Sequence, residues 1–253
     1  MRQLANNFWT FRGDFKIAGV INLGTHMSLV RGTNGRFVLL DSYDIGTEDR
    51  EALFALTDGG RAIEAVINVH PFHTLHCVAI HKVLPHARLI GTSRHRKQAP
   101  DLPWETGVIE DEATQAEFSD DLDFSVPAGV DFISTDEHVH VASVLVRHKE
   151  SGIVHVDDTI NVLAFPGILG RFLPQSKLKF HPALGKALQK RPGAADDYAA
   201  WARDLADRWA GTPIVCAAHS SIRKLPPEGW RDEVLGALAG VEKTLSKHRS
   251  ANG

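Results

Sequence analysis

Ala65-Val66-Ile67-Asn68-Val69-His70-Pro71-Phe72-His73-Thr74-Leu75-His76 passes from an apolar run straight into three histidines. The apolar half reads as a buried strand, so the imidazoles gather where a strand ends and a helix over about 73–83 begins. Strand ends are where α/β folds build their sites. Imidazole is the commonest neutral ligand for zinc and also suits iron. His73 and His76 lie three apart and on a helix share one face, with His70 reaching in from the strand end.

The flanking sequence frames this stretch as the centre of a βαβ unit. After the helix comes the short strand Ala87-Arg-Leu-Ile-Gly91, which argues for parallel strands. Upstream, Met27-Ser-Leu-Val30 and Arg36-Phe-Val-Leu-Leu40 flank Thr33-Asn34-Gly35, the strongest short hairpin signal, and Asp41 closes the second strand. A helix follows, with Thr47 as its N-cap and Gly59-Gly60 as its stop. Downstream, residues 97–125 are rich in Pro, Asp and Glu and read as a long surface excursion. A second hairpin joins Val139-His-Val-Ala-Ser-Val-Leu-Val146 to Ile153-Val-His-Val156 through Lys149-Glu-Ser-Gly152, and ends at Asp157-Asp158. Residues 165–188 read as loop with short helical turns. An amphipathic helix over about 194–209, the strand Pro213-Ile-Val-Cys-Ala217 and a helix over about 228–247 complete the chain, without internal repeats.

The composition limits the functions open to this chain. Its 253 residues are 43% hydrophobic and 23% charged, enough to bury a full core, and residues 1–253 are expected to form a single domain. A formal net charge of -3, with both signs scattered, offers no basic surface for nucleic acid and no acidic tail. No run is apolar enough to span a bilayer, the N-terminal residues lack a signal-peptide core, and the expected compartment is the cytoplasm. Cys77 and Cys216 are too few for a disulfide framework and read as small buried residues. The expected partner is a metal ion together with a small neutral or anionic substrate. The oligomeric state is not legible.

Further candidate ligands follow in order: His138-Val-His140, Asp157-Asp158, and His219 after the late strand. With the opening cluster they resemble the metallo-β-lactamase superfamily over roughly residues 17–240. That family carries HxHxDH after a buried strand, then a His near a later strand, an Asp ending the return strand, and a His in a turn after a late strand. Its first strand pair also ends in an Asp, here Asp41. The resemblance implies an α+β fold, an αββα sandwich of two mixed β-sheets flanked by helices. It departs from the motif in two places. His70 is displaced by one residue, and Leu75, which cannot bind a metal, stands where the family has its Asp.

The resemblance implies metal ligands at His70, His73, His76, His140, Asp158 and His219. One zinc ion is expected on His70, His73 and His140 with Asp158 alongside. A second, between Asp158, His76 and His219, is left open by Leu75, and iron is the alternative metal. His138 and Asp157 remain alternatives to their neighbours. Arg94-His95-Arg96 reads as a solvated basic turn or as a contact for an anionic substrate. His181 lies in a loop that either folds over the site or faces solvent. His81, His86, His148, His155 and His248 read as structural or exposed. The implied activity is metal-dependent hydrolysis of an ester, thioester, lactone or phosphodiester-type small molecule, with Asp158 or His76 moving protons. The alternatives are a non-catalytic metal-binding member of the fold and an iron-dependent redox protein.

Overall fold

The computed structural model describes residues 1–13, 16–17, 21–22, 24–162, 176–218 and 221–253. The chain divides into two compact units, one comprising residues 1–124 and 148–151, the other 125–147 and 152–253. Each has its own apolar core.

The first unit is built on a six-stranded mixed sheet whose spatial order follows the sequence: β1 (Arg2–Ala5), β2 (Phe8–Gly13), β3 (Thr25–Arg31), β4 (Phe37–Leu40), β5 (Ile63–Ile67) and β6 (Arg88–Ile90). The first four strands are antiparallel neighbours, whereas β4–β5 and β5–β6 are parallel, as the βαβ reading requires. The β3–β4 hairpin turns at Gly35, which holds a left-handed φ of 80°, while Asn34 Oδ1 accepts the Arg36 N–H at 2.8 Å. α1 (Thr47–Leu56) is preceded by Gly46 at the N-cap, so Thr47 is the first helical residue and does not cap. The chain leaves α1 through three successive left-handed residues, Asp58, Gly59 and Gly60. The N-terminal pair β1–β2 escaped the sequence reading.

Two expectations in this unit are corrected. The helix after the histidines, α2 (Cys77–Val83), begins only at Cys77, so residues 70–76 lie in turns and His73 and His76 do not share a helix face. The backbone there closes short turns from His73 N to His70 O (3.0 Å) and from Thr74 N to Phe72 O (3.1 Å). The 97–125 stretch is ordered structure rather than a loose excursion. It contains helix Glu112–Ala116 and strand Leu122–Ser125, and it buries Ile109, Phe118 and Leu122.

The second unit holds β7 (Leu145–His148), β8 (Val154–Val156), β9 (Ile214–Ala217) and β10 (Ser221–Lys224), neighbours in that order. β8 and β9 run parallel and the other two pairs antiparallel, so this sheet is also mixed. α4 (Ala194–Arg208) turns Tyr198, Trp201, Ala202 and Leu205 inward and packs along α5 (Gly229–Asn252). The hairpin strand expected from Val139 starts only at Leu145. Asp136 accepts the His138 N–H through its side chain and the Val139 N–H through its carbonyl, both at 2.9 Å, which folds 136–139 into a turn in place of a ladder. His138 and His140 are therefore not strand neighbours on one face. β10 was not foreseen. Among the described residues, no helix is long and apolar enough to cross a membrane.

Candidate metal centre

The end of β5 is held by a buried polar network. Asn68 donates its backbone N–H to Ile90 O (2.8 Å) and its Nδ2 to the same carbonyl (3.3 Å), tying it to the end of β6, and accepts the Ser42 hydroxyl (2.6 Å) at the end of β4. Asp41 has a left-handed φ of 65°, strained for a residue with a Cβ, and its Oδ1 accepts the Val69 N–H at 2.9 Å. The chain therefore enters the histidine turn from three strand ends locked together. Asp41 also lies with a carboxylate oxygen within 4.8 Å of a ring nitrogen of buried His26, a residue the sequence did not single out.

His70 is fully buried, and its ring stacks on that of His73 with centroids 3.9 Å apart and planes 18° apart. One donor nitrogen of each lies within 4.8 Å of the other. Two nitrogens bound at about 2.0–2.1 Å to one tetrahedral ion sit roughly 3.4 Å apart, so the pair is within reach of one ion, but an imidazole binds in its own plane and one ring must turn out of the stack to share it. Nδ1 of His70 accepts the Phe72 N–H (3.1 Å), which puts the neutral ring's proton on Nε2. Either nitrogen serves an ion only when that bond is released, at a cost of about 1 kcal/mol. His76 stands apart from this pair as the N-cap residue of α2, with Tyr43 edge-on at 5.7 Å. Burial, partly countered by Asp44, lowers its pKa. Cys77, whose thiol burial pushes up to about 12, is an inert core residue that bonds weakly to Asn68.

The basic tripeptide 94–96 is not a turn, and of its three side chains Arg96 is exposed, Arg94 half-buried and His95 buried. It lies in α3 (Ser93–Gln98), where His95 is fully buried and closes a capping box with Thr92. Its Nδ1 faces the Thr92 N–H (3.2 Å) and Oγ1 (2.9 Å), its Nε2 faces His73 O (3.4 Å), and Trp104 packs on the ring at 5.3 Å. Arg94 donates to Pro71 O (3.2 Å) with its guanidinium 4.2 Å from the Phe72 ring centroid, and Arg96 donates to Thr106 O (2.9 Å). Gly91 makes this approach possible, since a Cβ there would lie 2.8 Å from Trp104 and 2.9 Å from the His95 Cβ. Gly91→Ala is accordingly expected to cost about 1–3 kcal/mol in a urea melt, as overpacking at rigid neighbours does.

Burial lowers the His95 pKa to about 3, against about 6.5 in the unfolded chain. The folded state then disfavours the charged ring, so stability is complete above pH 6.5 and is lost as pH falls from about 6.5 toward 3. In chelator-treated protein, Tm is expected to fall more steeply from pH 6.5 to 4 in the wild type than in His95→Gln, which has nothing to titrate. Parallel curves would contradict this origin.

In the second unit, β8 delivers His155, Asp157 and Asp158, all buried. His155 and Asp157 bring donor atoms within 4.8 Å of one another, although the sequence reading gave His155 no role in a site. Asp158 is followed by Thr159, whose hydroxyl accepts the Ser143 N–H at 2.8 Å and meets Ser143 Oγ at 3.0 Å. This pins the segment ahead of β7 beside the aspartates. His140 Nε2 is engaged by the Glu137 carbonyl at 2.5 Å, and His138 is exposed. Among the described residues, neither His76 nor His140 joins a group of three or more close ligand atoms. His219 lies outside the described residues. His181 accepts the Ala183 N–H, while His86, His148 and His248 meet the Gly60 carbonyl, the Ser151 hydroxyl and the Gln189 carbonyl, in keeping with structural roles.

No protein-family model matches the chain, and no curated protein matches it significantly. Many solved structures do. A metallo-β-lactamase of Erythrobacter litoralis is 17% identical, with 94% of this chain and 95% of that one covered at a TM-score of 0.58. The metallo-β-lactamase FIM-1 of Pseudomonas aeruginosa, in its mono-zinc form, is 11% identical over 96% and 95%, at 0.60. One from Hirschia baltica is 15% identical over 94% and 95%, at 0.57. Identities this low speak to the fold alone, and on nearly the whole length of the chain they agree: it has the metallo-β-lactamase fold, the α+β class expected from its sequence.

Proposed function

We propose that this chain is a metal-dependent hydrolase whose one ion, zinc, is bound through His70 and His73. The closeness of the two histidines at the end of β5 carries this reading, because a donor nitrogen of each lies within 4.8 Å of the other and a turn of one ring out of the stack lets both face one ion. The carboxylate that offsets the ion's charge is taken from the resemblance, which implies Asp158. His140 is left outside the set because, among the described residues, it joins no close group of donor atoms.

Zinc bound here would lower the pKa of a water from 15.7 to about 7 and polarise a substrate carbonyl or phosphoryl oxygen. The chain's own part is to orient that water and its proton. Asp158 accepts the proton as general base, and the buried network of Asp41, Asn68 and Ser42 keeps the strand ends from shifting as charge develops. The substrate class is a small ester, thioester, lactone or phosphodiester, and the compartment the cytoplasm, where buried Cys77 and Cys216 stay reduced.

The test is elemental analysis of protein purified without added metal, followed by assays on those four substrate types. About one zinc per chain with turnover is expected, and less than about half an ion sinks the proposal. A second reading, a metal-binding protein without turnover, is favoured by Leu75, which is 69% exposed where the resembled motif has its Asp. Bound zinc with no hydrolysis of any of the four would support it.

A further inference from the structure

Three consecutive residues of the histidine turn are gripped from α3, and none of the gripping groups belongs to the resembled motif. Arg94 Nη1 donates to the Pro71 carbonyl at 3.2 Å, the same guanidinium covers the Phe72 ring at 4.2 Å, and His95 Nε2 faces the His73 carbonyl at 3.4 Å. The direction of the last bond follows from the other side of the ring. Nδ1 of His95 meets the Thr92 N–H, which can only donate, so Nδ1 accepts and the ring's proton is on Nε2, directed at His73 O. His95 is fully buried with Trp104 against its ring and Thr92 on its Nδ1, so the donor is held in place. α3 starts immediately after β6, which runs parallel to β5. The clasp and the histidine turn therefore rise from neighbouring strand ends of one sheet.

We propose that Arg94 and His95 are positioning residues that set the backbone of residues 71–73, hence the separation of the His70 and His73 rings, and through it the affinity for the ion. This rests on the metal reading above. The turn lacks helical hydrogen bonds of its own, so the clasp fixes backbone that no helix ladder holds. Outer hydrogen bonds that orient a ligating side chain carry about 10–100-fold in metal affinity, and the clasp acts on the same side chain through its backbone.

The experiment is zinc affinity by chelator competition on the full chain, with Tm measured on every variant. His95→Leu fills the pocket but cannot donate, while His95→Gln can accept from Thr92 and donate to His73 O. Arg94→Met keeps an unbranched side chain on Phe72 but loses the bond to Pro71, and it serves if His95→Leu does not fold. Expected are a loss of affinity of at least 10-fold in His95→Leu, a smaller loss in Arg94→Met, and near wild-type binding in His95→Gln. Folded His95→Leu and Arg94→Met proteins that bind zinc as tightly as the wild type, whatever their Tm, overturn the inference and leave the proposed function standing. A wild type that binds no zinc overturns the proposed function and this inference with it.

Discussion

His73→Ala is expected to leave the chain folded and unable to retain its ion. The backbone around His73 is held by groups the substitution does not touch, His70 O on its N–H and His95 on its carbonyl. Its side chain lies in an irregular turn outside the two apolar cores, so stability in a urea melt should change by no more than about 0.5 kcal/mol. The ion loses one of its donor nitrogens outright. Affinity should therefore fall by more than the roughly 10–100-fold that a supporting bond alone is worth, and hydrolysis should fall with it. Elemental analysis after dialysis, beside the melt, reads both. Undiminished zinc in a folded His73→Ala protein would remove His73 from the site.

The largest effect on stability should come from the second unit, at Trp230→Ala. Trp230 is fully buried in the first turn of α5, its indole N–H donates to Leu205 O at 3.1 Å, and its ring lies 6.0 Å from that of Trp209 just past α4. Truncation leaves a cavity between the two long helices. Leu205 O, four residues before Trp209, already accepts the Trp209 N–H at 3.2 Å and keeps that partner. The cavity therefore dominates, at about 3–5 kcal/mol. In an urea titration the midpoint should drop with little change in slope. A loss below about 1 kcal/mol would mean that α4 and α5 close over the gap.

The fold was legible where local chemistry and tertiary packing agree. Asn34-Gly35 makes the β3–β4 turn in any setting because Gly35 takes a left-handed φ without penalty. The run 65–69 followed by a helix and a strand dictates parallel neighbours, and the spacing of Tyr198, Ala202 and Leu205 dictates which face of α4 turns inward. Where side chains compete with the backbone, the reading slipped. Asp136 captured two N–H groups that a strand through 139 needed, and short turns over 70–74 stand where a helix from His73 was expected. The stretch 97–125 looked polar because its buried apolar residues, Ile109, Phe118, Leu122 and Phe124, are few and stand among Asp and Glu.

The candidate site divides along the same line. Residue types and their order, three histidines at a strand end followed by His140, Asp158 and His219, were enough to suggest a metal and to name the fold that many solved structures bear out. Order along a chain carries no information on rotamers or hydrogen-bond partners. Only the tertiary structure stacks His70 on His73, sets His76 aside under Tyr43 and commits His140 to a carbonyl. It alone turns His95 from one of three basic residues into a buried neutral ring that holds the His73 backbone, because burial and a fixed partner depend on what the folded chain brings alongside.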